Sequence, residues 1–350
     1  MLIKKFFQLL NEVIANNLPD VHFTVGDVPY IRSPLGNLQR VLDFWPIGPE
    51  TIHSLIEHIL KRKIQTDEVI FDTDTDYTYM TTRFRVNISQ GEFGKAIVMR
   101  RINDVPPSIE EIYLEPSLLP LLAKEQWLIL ITGATGMGKS TTLASMIEYI
   151  NLHYEKHIIT IEDPIEYIYT NKKSLFHQRE LNTHTRSFQD AIKSTLRGDP
   201  DIIVIGEMRD QETFEAALTL AETGHLVLST LHTNDAVQTI DRIIYSFPPI
   251  IQWQIRTQLA FVLNAIISQV LLTRADEKGR VAAREILINN EAVRSSIMSS
   301  ASSQMYAIME LWRDEWMQLM DYSLLKLYNS GIINKDQLMI HLKNPDVLSS

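Results

Sequence analysis

Cysteine is absent from all 350 residues of the sequence. This absence excludes disulfides and cysteine-ligated zinc, and it fits a protein of a reducing compartment. Long apolar runs are absent too, since no stretch approaches the roughly 18 apolar residues that cross a bilayer. We therefore expect a soluble or peripheral protein. Internal repeats and low-complexity segments are not found either.

Basic residues are fewer than acidic residues. The sequence carries 33 lysines and arginines against 43 aspartates and glutamates, which gives a formal net charge of −10. A general nucleic-acid binder usually has a basic face, so this balance argues against one, although a local basic groove stays possible.

What the sequence does contain is a glycine-rich turn between two ordered stretches. The apolar run Ile129–Ile131 precedes the turn, and a helix-forming stretch follows it. Two glycines, a lysine and a serine have the spacing Gly-x-x-x-x-Gly-Lys-Ser of a phosphate-binding loop, which begins at Gly133 and ends at Ser140. A chance glycine turn is the alternative, and the strand-like and helix-like flanks disfavour it.

The chemistry of phosphate binding requires this order of residues. Glycines let backbone N–H groups curl around phosphate oxygens, and the following helix directs the positive end of its dipole at the anion. Lys139 is expected to reach the β- and γ-phosphates, and the Ser140 hydroxyl to ligate Mg²⁺. The loop residues predicted to bind ATP are Gly133, Ala134, Thr135, Gly136, Met137, Gly138, Lys139, Ser140 and Thr141.

The residues before this loop form an α+β block of about 100 residues, large enough to fold alone. Helical spacing of apolar residues predicts helices over residues 1–17 and 51–63, and residues 83–102 read as a hairpin. Two prolines at 106 and 107 mark the linker. We predict domains over residues 1–103 and 119–350, joined by a linker over 104–118.

Arginines are concentrated on the predicted hairpin. Arg83, Arg85, Arg100 and Arg101 are either solvated outward-facing side chains or groups that reach phosphates held by a neighbouring subunit. Arginine suits the second task because it is always charged and forks onto oxygens. Both interpretations stay open at this point.

Acidic residues follow two buried strands after the loop. Residues 157–161 lead into Glu162-Asp163-Pro164-Ile165-Glu166, and residues 202–205 lead to Glu207. The carboxyl ends of parallel strands face the ligand crevice. One acid of the first turn can therefore take a proton from the attacking water or orient it, although a lone acidic turn is usually a helix cap. Glu207 is expected to hold Mg²⁺, directly or through water.

Two histidines flank the next predicted strand. His225 precedes residues 226–231, and His232 follows them. We expect both at strand ends in the ligand layer, with His232 as a γ-phosphate sensor or intersubunit contact. A structural role is the alternative. From about residue 236 we predict mostly helix, with Leu259, Leu263 and Ile266 among its apolar positions, and then a strand over residues 281–288.

Four of these motifs together resemble one family. They are the phosphate-binding loop, the acidic turn 161–166, the second acidic strand 199–209 and the histidine box 224–233. Their order resembles that of the hexameric secretion ATPases of type II secretion and type IV pili, and most closely the PilT-like retraction ATPases. The resemblance implies an α/β fold, with a PAS-like N-terminal α+β domain followed by a RecA-like P-loop ATPase domain.

The resemblance also implies the site and the partners. Glu166 corresponds to the catalytic glutamate, Glu207 to the second acidic residue, and His225 and His232 to the histidine box. Arg83, Arg85 and Arg100 lie in the hairpin whose arginines complete the site. ATP and Mg²⁺ are the implied ligands. The implied partners are five further copies in a homohexamer, an inner-membrane pilus platform protein and other pilus motor ATPases, at the cytoplasmic side of the inner membrane.

The lack of cysteine favours the retraction branch, since assembly-type and secretion-type relatives often carry a four-cysteine zinc module. One segment departs from the retraction pattern Ala-Ile-Arg-Asn-Leu-Ile-Arg-Glu: residues 292–299 read Ala-Val-Arg-Ser-Ser-Ile-Met-Ser. Pilus assembly, secretion and a weakly hydrolysing accessory or scaffold subunit therefore stay open as alternatives.

Overall fold

The structure is a computed structural model that describes residues 2–33, 36–64, 72–102, 105–313 and 316–344. The chain divides into two compact units, residues 1–105 and residues 106–350. The predicted domain limits at 103 and 118 stay predictions, and residue 104 of the predicted linker lies outside the described residues. Within the described residues, no helix has the length and apolar character needed to cross a bilayer.

The first unit is a six-stranded antiparallel sheet covered by two helices. Its strands are β1 (Asp20–Thr24), β2 (Tyr30–Arg32), β3 (Leu38–Arg40), β4 (Thr73–Tyr79), β5 (Thr82–Gly91) and β6 (Gly94–Arg101), and its helices are α1 (Leu2–Ala15) and α2 (Pro49–Leu60). The strand order is β3-β2-β1-β6-β5-β4. Alternate residues of β5 are buried, as expected for a strand with one face on the core. The predicted first helix and hairpin are present.

The second unit is built on a seven-stranded sheet with the order β13-β12-β7-β11-β10-β8-β9. Its strands are β7 (Trp127–Thr132), β8 (His157–Glu162), β9 (Leu175–Glu180), β10 (Ile202–Ile205), β11 (Leu226–Leu231), β12 (Leu263–Thr273) and β13 (Arg280–Ile288). All neighbours are parallel except the β12–β13 pair. Parallel strands place their carboxyl ends at one edge, which is where the predicted site residues follow β7, β8, β10 and β11.

Helices cover both faces of this sheet. They are α3 (Leu119–Leu122), α4 (Lys139–His153), α5 (Phe188–Thr195), α6 (Gln211–Glu222), α7 (Ala236–Tyr245), α8 (Gln252–Val262), α9 (Glu291–Met298), α10 (Met305–Leu311), α11 (Met320–Asn329) and α12 (Lys335–His341). Alternate residues of β7 enter two different cores: Leu128 and Leu130 lie on one face, Ile129 and Ile131 on the other. Burial on both faces explains the continuous apolar runs of the central strands.

One element differs from the sequence prediction. Residues 263–273 form the strand β12 and not a helix, so the helical prediction that included Leu263 and Ile266 is wrong. A continuous buried apolar run has no periodicity that separates a helix from a central strand. The strand prediction over residues 281–288 is correct, since β13 covers them.

A buried arginine fastens the beginning of the second unit to β13. The Arg284 side chain is 1% exposed and donates hydrogen bonds to the carbonyl oxygens of Ile112 and Tyr113, 3.0 and 2.9 Å away. Its guanidinium also pairs with the Glu115 carboxylate at 3.2 Å. Leu114 and Leu118 are buried in the core beside it. Residues 112–118 are therefore an integral part of the second unit.

Candidate active site

The phosphate-binding loop connects the end of β7 to the first residue of α4. Gly133, Gly136 and Gly138 have φ angles of 148°, 81° and 78°. Residues with a Cβ atom rarely adopt such angles, so glycine is required where the chain turns so tightly. Helix α4 begins at Lys139, which places the positive end of its dipole at the loop.

Lys139 points back into the loop. Its ammonium group donates hydrogen bonds to the carbonyl oxygens of Gly133 and Ala134, at 2.8 and 3.1 Å. Burial lowers the pKa of Lys139, while the carboxylates of Glu207 and Glu166 act in the opposite direction. The Lys139 ammonium group therefore interacts with the negative charges of both acidic motifs, and the catalytic roles of Glu166 and Glu207 stay predictions.

His232 connects the loop to the second acidic strand. Its Nδ1 lies 3.2 Å from Lys139 Nζ and 3.3 Å from Thr135 Oγ1, and its Nε2 lies 3.0 Å from Glu207 Oε1. An ammonium group only donates, so Nδ1 accepts from Lys139, and Nε2 carries the proton that is donated to Glu207. The histidine is thus a relay of hydrogen bonds between a cation and a carboxylate.

Glu207 follows β10 and lies at the carboxyl edge of the sheet. Burial raises its pKa, but the Arg209 guanidinium at 2.8 Å, His232 and Lys139 outweigh this effect, so the pKa of Glu207 is lowered. The group is a carboxylate at neutral pH. Oxygen ligands of this kind are the ones that Mg²⁺ prefers.

The acidic turn after β8 contains two glutamates in different environments. Burial raises the pKa of Glu162 to about 7, although Thr160 Oγ1 and Gln178 Nε2 donate hydrogen bonds to its carboxyl group. Glu166 is exposed, and its carboxylate raises the pKa of Lys139. The next residue, Tyr167, is buried, and its hydroxyl lies 3.1 Å from Thr141 Oγ1. This hydrogen bond ties the acidic turn to the first turn of α4.

The prediction that both histidines lie in the ligand layer must be corrected for His225. His225 precedes β11, and its carbonyl oxygen accepts a hydrogen bond from the backbone N–H of Trp127, the first residue of β7. It therefore lies at the amino edge of the sheet, about 20 Å along the strand from His232. Its Nδ1 lies 3.1 Å from the carbonyl oxygen of Leu220. This is a structural contact at the end of α6.

The three predicted arginines belong to the first unit and are held by aspartates. Arg83 pairs with Asp76, Arg85 Nη2 lies 3.6 Å from Asp74 Oδ2, and Arg100 Nε donates to Asp20 Oδ1 at 2.8 Å. Arg85 and Arg100 are directly opposite each other on β5 and β6. Their role at a phosphate of a neighbouring subunit stays a prediction.

The polar residues of β12 lie at the site without having been predicted from the sequence. Thr132 Oγ1 donates a hydrogen bond to Ser268 Oγ at 2.7 Å, and the adjacent Gln269 contacts the phosphate-binding loop. The polar pair Ser268 and Gln269 inside the apolar run 265–272 was the available signal. Because the run was assigned to a helix, their position beside β7 could not be recognised.

The donor set at the loop fits Mg²⁺ bound jointly with phosphate. Ser140 and Glu207 offer a hydroxyl and a carboxylate oxygen, and Mg²⁺ usually combines one or two such protein ligands with phosphate oxygens and water. In the part of the chain that the structure describes, no group of three or more histidine and acidic side chains can hold a metal by itself.

Comparisons with known proteins show the family of the chain. The family described as type II/IV secretion system protein matches residues 74–338. A twitching motility protein of Neisseria gonorrhoeae is 42% identical over 325 residues, which are 92% of this chain and 86% of that protein. The type IV pilus retraction ATPase PilT of Pseudomonas aeruginosa is 39% identical over 330 residues, which cover 93% and 95% of the two chains.

A solved structure has the same fold over almost the entire chain. The crystal structure of the pilus retraction motor PilT with bound ADP is 40% identical and superposes with a TM-score of 0.86, covering 98% of each chain. This match confirms the predicted fold class, an α+β domain followed by a P-loop ATPase domain.

Proposed function

We propose that this chain, which belongs to the type II/IV secretion system protein family, is an ATP-hydrolysing motor that powers the retraction of type IV pili. The relatives at about 40% identity are named for twitching motility and pilus retraction. The observation that carries the proposal is the connected set of Lys139, His232 and Glu207, which joins the phosphate-binding loop to the second acidic strand.

ATP binding follows from the loop. Its backbone N–H groups and the beginning of α4 bind the phosphates, and the Lys139 ammonium group exchanges carbonyl oxygens for phosphate oxygens. Ser140 and Glu207 would hold Mg²⁺, which would supply positive charge to neutralise the phosphates. The residues of the chain contribute positioning and electrostatic stabilisation, which account for most of the catalysis of phosphoryl transfer.

Hydrolysis requires a group that orients water opposite the leaving ADP. Glu166 suits this task, because its carboxylate is exposed and its negative charge acts on the Lys139 ammonium group. The water oxygen forms a bond to the γ-phosphorus as the bond from this phosphorus to the β–γ bridging oxygen breaks. The water proton passes to Glu166, and the products are ADP and phosphate.

His232 couples this chemistry to conformation. When Lys139 turns to a phosphate, His232 Nδ1 loses the ammonium donor 3.2 Å away and keeps the Thr135 hydroxyl at 3.3 Å. The loss of the ammonium contact favours a new position of His232, which would also shift Glu207 and the beginning of α7. A motor needs such a contact, because its two arrangements must depend on whether the γ-phosphate is present.

The working assembly is proposed to be a homohexamer in which a neighbouring subunit supplies an arginine. Arg85 and Arg100 are the candidates, since they lie opposite each other on the hairpin. Each would exchange its aspartate, Asp74 or Asp20, for a phosphate group. The partners proposed for the ring are an inner-membrane pilus platform protein and other pilus motor ATPases, at the cytoplasmic face of the membrane.

Turnover measurements test the proposal. Lys139→Ala and Glu166→Gln should each lower ATP turnover at least about a hundredfold while the fold is retained. Glu125→Gln is the matched control, because this side chain is 86% exposed and precedes β7 at the opposite edge of the sheet. Normal turnover in the Glu166→Gln protein would remove that residue from catalysis.

A gene deletion separates the remaining alternatives. Cells with surplus pili that do not retract indicate a retraction motor, whereas cells without pili indicate an assembly motor. Slow turnover by the pure wild-type protein, with normal nucleotide binding, would instead indicate an accessory subunit of a second motor.

A further inference from the structure

Strand β12 passes directly beneath the phosphate-binding loop. Its residue Ser268 pairs with Thr132, the last residue of β7, and the strand continues to Thr273. Gln269 is therefore the first residue of β12 beyond the end of β7. This is the point at which the chain leaves the sheet to form the loop.

Both polar atoms of the Gln269 amide form hydrogen bonds, one to the phosphate-binding loop and one to α4. Gln269 Nε2 donates a hydrogen bond to the carbonyl oxygen of Met137 at 2.6 Å, and Oε1 accepts one from Thr142 Oγ1 at 2.8 Å. The residue is only 1% exposed. One buried amide thus connects the turn of the loop to the first turn of α4.

The loop also rests on the backbone of this strand. A Cβ atom at Gly133 would lie 2.5 Å from the carbonyl oxygen of Gln269, and one at Gly138 would lie 3.4 Å from its Nε2. The backbone N–H of Leu271 donates to Met137 Sδ at 3.3 Å. There is consequently no room for the loop to relax toward β12.

We infer that Gln269 is a positioning residue that sets the affinity for nucleoside triphosphate by fixing the loop in its phosphate-binding conformation. A phosphate-binding loop must present N–H groups and keep carbonyl oxygens out of the site. The Gln269 amide holds the Met137 carbonyl oxygen on the side of β12, away from a position where it would repel phosphate oxygens. This inference rests on the proposed ATPase function.

A purely structural role of Gln269 in the core predicts a different result. Loss of a core contact lowers the stability of the protein without nucleotide and leaves the affinity for ATP unchanged. Loss of a positioning contact raises Kd and KM for ATP, while the melting temperature of the nucleotide-free protein and kcat change little. The two roles are therefore separated by measuring affinity, kinetics and stability on the same variants.

Three substitutions test the role of Gln269. Gln269→Met keeps the length of the side chain but loses both hydrogen bonds, and it should weaken ATP binding about tenfold to a hundredfold. Thr142→Val removes only the bond to Oε1 and should have a smaller effect. Gln269→Glu keeps an acceptor for Thr142 but removes the donor for Met137 and adds negative charge, so it should have the largest effect.

The structure offers a control at Gln318, a partly exposed residue that precedes α11 and lies beside β13. Gln318 Nε2 donates to the carbonyl oxygen of Arg284 at 2.8 Å, which is the same type of bond without contact to the loop. Gln318→Met should leave Kd and KM for ATP unchanged. Affinity is measured with a fluorescent ATP analogue and Mg²⁺ on the full chain, and stability by thermal unfolding without nucleotide.

Each outcome decides between the two roles. Weaker binding by Gln269→Met and Thr142→Val, with melting temperatures close to that of Gln318→Met, supports the inference. Wild-type affinity in both variants, or a loss of stability without a rise in Kd, overturns it. If Gln269→Met does not fold, Thr142→Val and Gln269→Glu decide alone. Failure of the wild-type chain to bind ATP would instead overturn the proposed function.

Discussion

The carboxyl group of Glu162 should make the stability of the second unit depend on pH. Burial raises its pKa from 4.5 to about 7, against the hydrogen bonds from Thr160 and Gln178. The unfolded chain releases this proton near pH 4.5, whereas the folded protein keeps it until about pH 7. Between these values the folded state binds more protons. The stability contributed by this group is therefore complete below pH 4.5 and is lost as the pH rises through 7.

The size of the effect follows from the two pKa values. Their difference corresponds to a loss of roughly 3 kcal/mol in the free energy of unfolding by pH 8. Glu162→Gln keeps a carbonyl acceptor for the Thr160 hydroxyl and has no charge to desolvate. The variant should match the wild type near pH 5 and exceed its melting temperature by roughly 6–12 °C at pH 8.

Thermal unfolding of both proteins at pH 5, 6, 7 and 8, without nucleotide, measures this difference. Glu125→Gln is the control for the loss of one negative charge, because its side chain is 86% exposed, and its curve should follow the wild type at every pH. Melting temperatures of wild type and Glu162→Gln that stay parallel from pH 5 to 8 would refute the reasoning.

Four further predictions concern the catalytic edge. His232→Ala removes the contacts to Lys139 and Glu207 and should lower kcat about tenfold to a hundredfold; an unchanged kcat would contradict the coupling role. Tyr167→Phe deletes the hydrogen bond to Thr141 and should lower kcat/KM about fivefold, which corresponds to roughly 1 kcal/mol. An equal loss in the free energy of unfolding without nucleotide would indicate a structural role instead. Excess EDTA should abolish turnover and Mg²⁺ restore it; activity in EDTA would exclude the metal. Mixing Lys139→Ala protein with Arg85→Ala/Arg100→Ala protein should recover activity that neither has alone if an arginine acts on a neighbouring subunit, and no recovery would count against that role.

Local sequence patterns were sufficient to predict the phosphate-binding loop and the acidic residues that follow the strands. The phosphate-binding loop is contiguous in sequence, and its glycine spacing reflects backbone angles that Gly133 and Gly138 in fact adopt. Glu207 was recognisable because four buried apolar residues precede Gly206 and the acid. In both cases the information lies within about ten residues.

Contacts between distant residues could not be predicted in this way. Gln269 meets the loop through a strand register that joins residues more than 130 positions apart. Its strand has no periodicity that distinguishes it from a buried helix. The error at His225 had a different cause. Ligands bind at the carboxyl ends of parallel strands, whereas a residue that precedes β11 lies at the amino end of that strand. This rule alone is sufficient to exclude His225 from the ligand layer.

The hydrogen bonds and ion pair of Arg284 hold residues 112–115 against β13 and restrict their movement. Because Arg284 grips two carbonyl oxygens and a carboxylate in a buried position, this stretch must turn together with the ATPase sheet. The rigid part of the second unit therefore begins upstream of α3, and replacing Arg284 would release residues 112–115 from β13.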